Sequence, residues 1–242
     1  MERIDKIIAS QGQYSRKEVK ALIAKGRIAV DGRVVSSSSE KADPLTTQIS
    51  IDGKPLAFKR NLYLVLNKPK GYVSATEDRD HPIVLELVPQ EYRGRDLFPA
   101  GRLDRDTTGL MIITDDGALA HNILAPKKHV PKLYHVELDI PVTEEMRLGF
   151  SEGVMLNDGV SKAADLIKTG EKTAEVTLRE GRYHQIKRMF SARGHEVTAL
   201  HRASFGPLEL PDDLPPGGLR RLSAGEVAAL RAAVLKPNDK EG

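Results

Sequence analysis

The stretch Gly101-Arg102-Leu103-Asp104-Arg105-Asp106-Thr107-Thr108-Gly109-Leu110 sets an ionisable carboxylate in a polar turn between two apolar runs. Ahead of it stands the strand-like Leu97-Phe98-Pro99-Ala100. Behind it Leu110-Met111-Ile112-Ile113 closes on an Asp115-Asp116-Gly117 turn, so the pattern predicts strand, loop, strand. Such a loop aims one side chain into a cleft while the sheet holds it still, which makes Asp104 a candidate nucleophile or base. Taken alone, the same Asp serves equally well as a turn cap or as a partner of Arg102 or Arg105. Other segments have to decide.

From residue 61 onward strand-like runs alternate with helices. The strands are predicted at Leu62 to Leu66, Val73-Ser74, Leu110 to Thr114, Tyr134 to Leu138, Ala174 to Leu178 and Val197 to Leu200. Helices are predicted at Ala118 to Leu124, Thr143 to Gly153 and Gln185 to Arg193. Their irregular alternation argues for an α+β domain on a mixed or largely antiparallel sheet. No internal repeat is evident. The polar residues 235–242, from about Lys236 on, are expected to fray.

The first 35 residues read as helix, helix, hairpin. Ile4, Ile7 and Ile8 fall at helical spacing. Ser15 with Glu18 three residues on forms a capping-box start for a second helix carrying Val19, Leu22 and Ile23, which Gly26 stops. Arg27 to Val30 and Arg33 to Val35 then flank Asp31-Gly32, a strong two-residue hairpin signal. Arg16, Lys17, Lys20, Lys25 and Arg27 crowd the second helix and its exit. Ser36 to Pro44 reads as a loop, and a boundary is expected near residues 56–60, where Ala57-Phe58-Lys59-Arg60 precedes a new strand.

Composition sets limits. A chain of 242 residues suits one ordinary core plus a small module. With no Cys, disulfide frameworks and thiolate metal sites are excluded. The charged N-terminus and the lack of a run of about 18 apolar residues point to a cytoplasmic protein without membrane attachment. Residues 1–60 hold twelve Lys and Arg against seven Asp and Glu, a net +5, and the remainder holds 25 against 27, a net −2. That asymmetry favours a polyanion partner for the N-terminal module, although a solvated charged face explains the same numbers.

Three more segments bear on chemistry: Asn67-Lys68-Pro69-Lys70-Gly71-Tyr72, Lys132-Leu133-Tyr134-His135-Val136, and Glu180 to Phe190 with its basic run. Each also has a plain structural reading, as surface turn, strand aromatic or solvated helix face. His184, His195 and His201 lack a second ligand pattern, so no metal is expected.

The N-terminal order of helix cap, Leu22-Ile23, Gly26-Arg27 and Val30-Asp31-Gly32 resembles the S4 RNA-binding module, over residues 1 to about 58. The GRLDxxTxGL setting of Asp104, with Lys68-Pro69-Lys70-Gly71 before it and Lys132-Leu133-Tyr134 and Gly181 to Arg188 after it, resembles the ribosomal RNA pseudouridine synthases bearing that module. Tyr72, the Asp115-Asp116-Gly117 turn and Tyr183 to Phe190 look closest to the branch that modifies small-subunit (16S) rRNA. The resemblance implies a catalytic domain over residues 59–234 that turns a uridine into pseudouridine without a cofactor.

By that resemblance Asp104 attacks the sugar or takes a proton from C2′. Arg182 is expected beside it to favour the ionised carboxylate, Tyr134 to stack on the uracil and Ile186 to wall the pocket. Arg16, Lys17, Lys20 and Arg27 of the module, with Lys68, Lys70, Arg102, Lys187 and Arg188 near the site, are expected to meet RNA phosphates. The partner is then ribosomal RNA or a small-subunit assembly intermediate, and a monomer is expected. The same reaction on large-subunit (23S) rRNA and a non-catalytic RNA-binding assembly factor stay open as alternatives.

Overall fold

The computed structural model describes residues 1–9, 11, 14–43, 46–56, 61–92 and 94–235. Residues 57–60, where a change of domain is expected, and the tail from Lys236 lie outside these. The chain divides into two units, Met1–Asn61 and Leu62–Gly242.

In the first unit β1 (Glu2–Arg3) leads into α1 (Ile4–Ala9) and then α2 (Arg16–Ala24). Both halves of the predicted capping box form: Glu18 N–H donates to Ser15 Oγ at 3.3 Å, and Ser15 N–H donates to the Glu18 carboxylate at 2.7 Å. The helix stops where Gly26 turns left-handed at φ +65°. The hairpin of β2 (Ile28–Val30) and β3 (Arg33–Val34) turns through Asp31 and Gly32, both at positive φ. Residues 36–43 are more than a loop, because β4 (Lys41–Ala42) pairs with β1. Next, β5 (Ile49–Ile51) and β6 (Lys54–Pro55) complete a four-stranded sheet of order β3-β2-β5-β6. Ile4, Ile7, Ile8, Val19, Leu22, Ile23, Ile28 and Ile51 bury one another in a core of their own.

The second unit is built on a mixed sheet. Its strands are β7 (Tyr63–Lys68), β8 (Phe98–Ala100), β9 (Thr108–Thr114), β10 (Lys132–Leu138), the β11 (Met155–Leu156) and β12 (Gly159–Val160) hairpin, β13 (Asp165–Lys168), β14 (Thr173–Leu178), β15 (Val197–Phe205), β16 (Leu208–Glu209) and β17 (Leu219–Arg221). The main path runs β13-β14-β10-β15-β9-β7-β17; β8 pairs with β9, β16 with β15, and β11–β12 stands apart as a two-stranded ribbon. Among the described residues only the β9–β15 pairing is parallel along this sheet, at His201 with Thr108 and Arg202 with Gly109. Beyond those two residues β8 takes over the same edge of β9. The edge therefore changes partner next to the Asp104 loop.

Alternation along β9 explains its double burial. Met111 and Ile113 face the core made with Val136 of β10, Val176 of β14 and the apolar residues of α4 (Glu144–Glu152) and α5 (Gln185–Ser191). Leu110 and Ile112 face a second core with α3 (Gly117–Leu124) and α6 (Ala224–Leu235). Most expected elements form, but Val73-Ser74 makes only an isolated bridge to Ile83. Strand β13 and helix α6 go beyond the pattern reading: apolar residues run round every side of α6, so no period marks the face on which Leu230 and Val234 are buried.

Candidate active site

The Asp104 loop is assembled from its own carbonyls. Thr107 N–H donates to Asp104 O at 3.1 Å, and Gly71 N–H reaches Arg105 O at 2.7 Å, joining this loop to the Lys68–Tyr72 turn. Ser74 Oγ donates to Leu103 O at 2.7 Å and accepts from Leu103 N–H at 2.9 Å. Gly109 closes the loop at φ +103°, where a Cβ would stand 2.3 Å from Arg202 O. That approach is what the parallel β9–β15 pairing demands, and only glycine permits it.

Lys68 is the largest departure from the sequence reading. It is fully buried at the end of β7, not aimed at RNA. Its Nζ donates to Thr107 O at 2.7 Å, Asp104 O at 2.9 Å, Pro69 O at 3.2 Å and Arg105 O at 3.3 Å. Burial pulls its pKa down to about 8, against the attraction of Asp104 and Asp106. The reason is donor count: an ammonium's three N–H groups suit a place where several loop carbonyls converge.

The Asp104 carboxylate is partly exposed, with one partner at each oxygen. His184 Nε2 lies 3.2 Å from Oδ1 and Lys187 Nζ 3.5 Å from Oδ2. Lys187 also meets Asp106 at 2.6 and 2.7 Å. Burial pushes the Asp106 pKa up, but the Lys187 hydrogen bond and charge outweigh it and leave it lowered. His184 adopts the left-handed conformation at φ +47° just before α5, and Lys187 follows three residues later. Their spacing puts both on one face of the helix start.

Arg182 is not beside Asp104, which corrects the expectation. Its guanidinium donates to Val160 O at 2.7 Å, Gly159 O at 3.0 Å and Glu180 at 3.3 Å, and lies 3.5 Å from Asp158. It binds the β11–β12 hairpin to the turn before α5. The turn reverses between residues 180 and 184, so the cation that reaches Asp104 is Lys187, from within the helix. The exchange was detectable in principle, since His184 and Lys187 share the i, i+3 spacing; the pattern alone does not say which basic residue of the run turns inward.

Other expected residues fall into three groups. Tyr134 and Ile186 are buried in the core that also holds Leu103. Arg102 and Lys70 are exposed. Lys70, Asp106, Thr108, His135, Glu137 and His201 line a cleft of about 300 Å³. Arg188 is tied to Asp158 at 2.5 Å and to Tyr183 O at 3.1 Å. In the N-terminal unit Arg16 pairs with buried Asp5 at 3.2 Å and Arg27 with Asp52 at 2.6 Å, whereas Lys17 and Lys20 are exposed.

Arg202, which the sequence reading did not single out, and Lys132, which it quoted without a role, are both buried. Arg202 donates from Nε to Leu110 O at 2.7 Å and lies over the Phe205 ring. Lys132 sits over the same ring and donates to Val130 O at 2.9 Å, its pKa taken to about 8 by burial and then by the Arg202 charge. The chemistry available at the loop is that of a partly exposed carboxylate held by an imidazole and an ammonium.

Comparison with known proteins agrees with that chemistry. An RNA pseudouridylate synthase family model matches residues 62–192, and an S4 domain model matches residues 2–44. The chain is 41% identical to the uncharacterized RNA pseudouridine synthase YtzG of Bacillus subtilis, covering 94% of this chain and 98% of that one. It is 41% identical to the ribosomal small subunit pseudouridine synthase A of Yersinia pestis, over 96% of this chain and all of its relative. A crystal structure of a pseudouridylate synthase superposes with a TM-score of 0.68 at 35% identity, covering 95% of this chain and 100% of the other. With the Asp104 loop, the mixed sheet and these matches in agreement, the chain belongs to the RNA pseudouridylate synthase family and carries an S4 domain at its N-terminus.

Proposed function

We propose that this protein isomerises a specific uridine of small-subunit ribosomal RNA to pseudouridine, with Asp104 as its catalytic carboxylate. The observation that carries the reading is the Asp104 carboxylate held between His184 and Lys187 on a loop stapled by buried Lys68. The substrate assignment draws on the near full-length similarity to the Yersinia pestis enzyme.

The reaction breaks the N1–C1′ bond, turns the uracil in the site and joins C5 to C1′. The proton lost from C5 is balanced by one gained at N1, so the change is an isomerisation requiring no redox step. Asp104 either attacks C1′ or removes a proton from C2′, and both routes use its carboxylate, one oxygen of which lies 3.5 Å from Lys187 Nζ. Extruding the nucleotide costs a few kcal/mol of unstacking, which phosphate contacts must offset. Lys70 and Arg102 beside the site, and Lys17 and Lys20 on the S4 domain, supply exposed cations for those contacts. Tyr134 offers a flat ring and Ile186 an apolar side chain in the same core.

The test is pseudouridine mapping, by chemical adduct and reverse-transcription stop, on unmodified small- and large-subunit rRNA and on assembly particles. A new stop in small-subunit RNA that disappears with Asp104→Asn supports the proposal. A stop confined to large-subunit RNA moves the substrate. No stop in any of them favours an RNA-binding assembly factor.

A further inference from the structure

We propose that Tyr183 is a stacking platform for an RNA base that flanks the extruded uridine; the inference rests on the reading of the protein as an RNA pseudouridine synthase. Tyr183 is a large aromatic residue left 69% exposed. It is not loose, because its ring stacks on His184 with centroids 3.7 Å apart and planes 19° from parallel. His184 in turn touches the Asp104 carboxylate at 3.2 Å. The order outward from the reacting carboxylate is therefore imidazole, phenol ring, solvent.

The mount is rigid on both sides. Arg188 donates to Tyr183 O at 3.1 Å while gripping Asp158, and Arg182 N–H donates to Gln185 Oε1 at 3.0 Å. Gln185 is itself buried and hydrogen-bonded to Glu180 at 2.6 Å. A ring covered on one face and bare on the other, fixed before any ligand arrives, loses little entropy when a second flat group joins the stack.

Lys187 and Arg188 beside it are engaged by Asp104, Asp106 and Asp158, so the platform offers a flat ring face, which suits a nucleobase. The base that meets Tyr183 is a neighbour of the target and not the target itself. The uridine undergoing chemistry must bring C1′ or C2′ to Asp104, whereas Tyr183 stands one ring further out. Stacking on an aromatic accepts any base, so this contact adds affinity and registers the strand without reading its sequence.

The chain contains no Trp, so Tyr183→Trp introduces a single indole emitter at the platform. Its fluorescence is to be followed on titration with unmodified small-subunit rRNA, beside single-turnover pseudouridine formation by wild type, Tyr183→Phe and Tyr183→Ala. Quenching of the indole by RNA, wild-type rates for the Phe variant and a loss in kcat/KM of about 5- to 100-fold for the Ala variant are expected, the size of one base stack. The melting temperature of Tyr183→Ala should stay at the wild-type value, because the ring is exposed. RNA that binds without quenching, or an Ala variant with wild-type kcat/KM, overturns the proposal. Quenching with no pseudouridine formed by wild type keeps the platform and removes the enzymatic reading; silence in both readouts removes both.

Discussion

Replacing Lys68 by Met keeps most of the side-chain volume and removes three N–H donors. The carbonyls of Asp104 and Arg105 retain second donors, Thr107 N–H at 3.1 Å and Gly71 N–H at 2.7 Å, so the loss falls hardest on the buried acceptor of Thr107 and the partly buried one of Pro69. Two such acceptors left unpaired cost about 2 to 6 kcal/mol together. The Met side chain, in return, has no charge to desolvate. The fall of the Lys68 pKa from 10.5 to about 8 represents ~3 kcal/mol of that penalty at ~1.4 kcal/mol per pH unit. The terms nearly cancel, and overall stability should drop by less than about 3 kcal/mol. Catalysis gets no such compensation. The same ammonium anchors the backbone that carries Asp104, and a displacement of ~1 Å at a reacting group costs on the order of 100-fold in rate. Lys68→Met should therefore unfold in urea near wild type and bind rRNA with wild-type affinity, yet form pseudouridine on the order of 100-fold more slowly in single turnover. A variant with a wild-type rate refutes the reasoning. One that turns over normally when saturated but binds RNA weakly would return Lys68 to the role of a phosphate contact.

Gly109→Ala places a Cβ 2.3 Å from Arg202 O at φ +103° and should destabilise the fold by more than ~3 kcal/mol in thermal unfolding, while Gly117→Ala, with open space around it, should be neutral or mildly stabilising. Lys187→Met withdraws the cation shared by Asp104 and Asp106 and should lower kcat by on the order of 100-fold with the fold intact; Arg182→Met should instead weaken the β11–β12 hairpin and spare the rate at saturation. If Arg182→Met abolishes turnover in a protein that melts normally, the exchange of roles between these two residues is wrong. Glu226 is held at about 2, chiefly by its hydrogen bond to Arg220, and it also caps α6 through Ser223. A depressed carboxylate stabilises the fold above its unfolded value of about 4.5, and that share is lost as pH falls from there through about 2. Discounted for partial exposure, Glu226→Gln should cost about 1 to 2 kcal/mol at pH 7 and flatten the acid limb of stability, read from urea midpoints across pH 2 to 6.

Several parts of this molecule were legible in residue order alone. The Ser15/Glu18 capping box, the Asp31-Gly32 hairpin and the Thr143 start of α4 are interactions between near neighbours, and they formed where the pattern put them. The patterns of β7, β9 and β10 likewise announced strands, and the residues around Asp104 announced the loop between β8 and β9. Helix α6 did not announce itself, because its apolar residues run round every side and mark no face. Nor did the basic residues reveal their partners: Lys68 meets carbonyls 36 to 39 residues away, Arg182 meets a hairpin 22 to 24 residues back, and Lys187 meets carboxylates across the loop.

The sequence by itself determined the local elements, the S4-like module and the loop that bears the carboxylate, since caps, turns and periodicity depend on residues a few positions apart. Tertiary structure alone decided which cation serves Asp104, which one holds the loop and which aromatic stands outside. A positive side chain carries the same charge wherever it sits in the chain. Whether it meets a carboxylate, a set of carbonyls or water is settled when the parallel closure of β9 on β15 brings distant backbone together and removes the solvent that would otherwise have satisfied it.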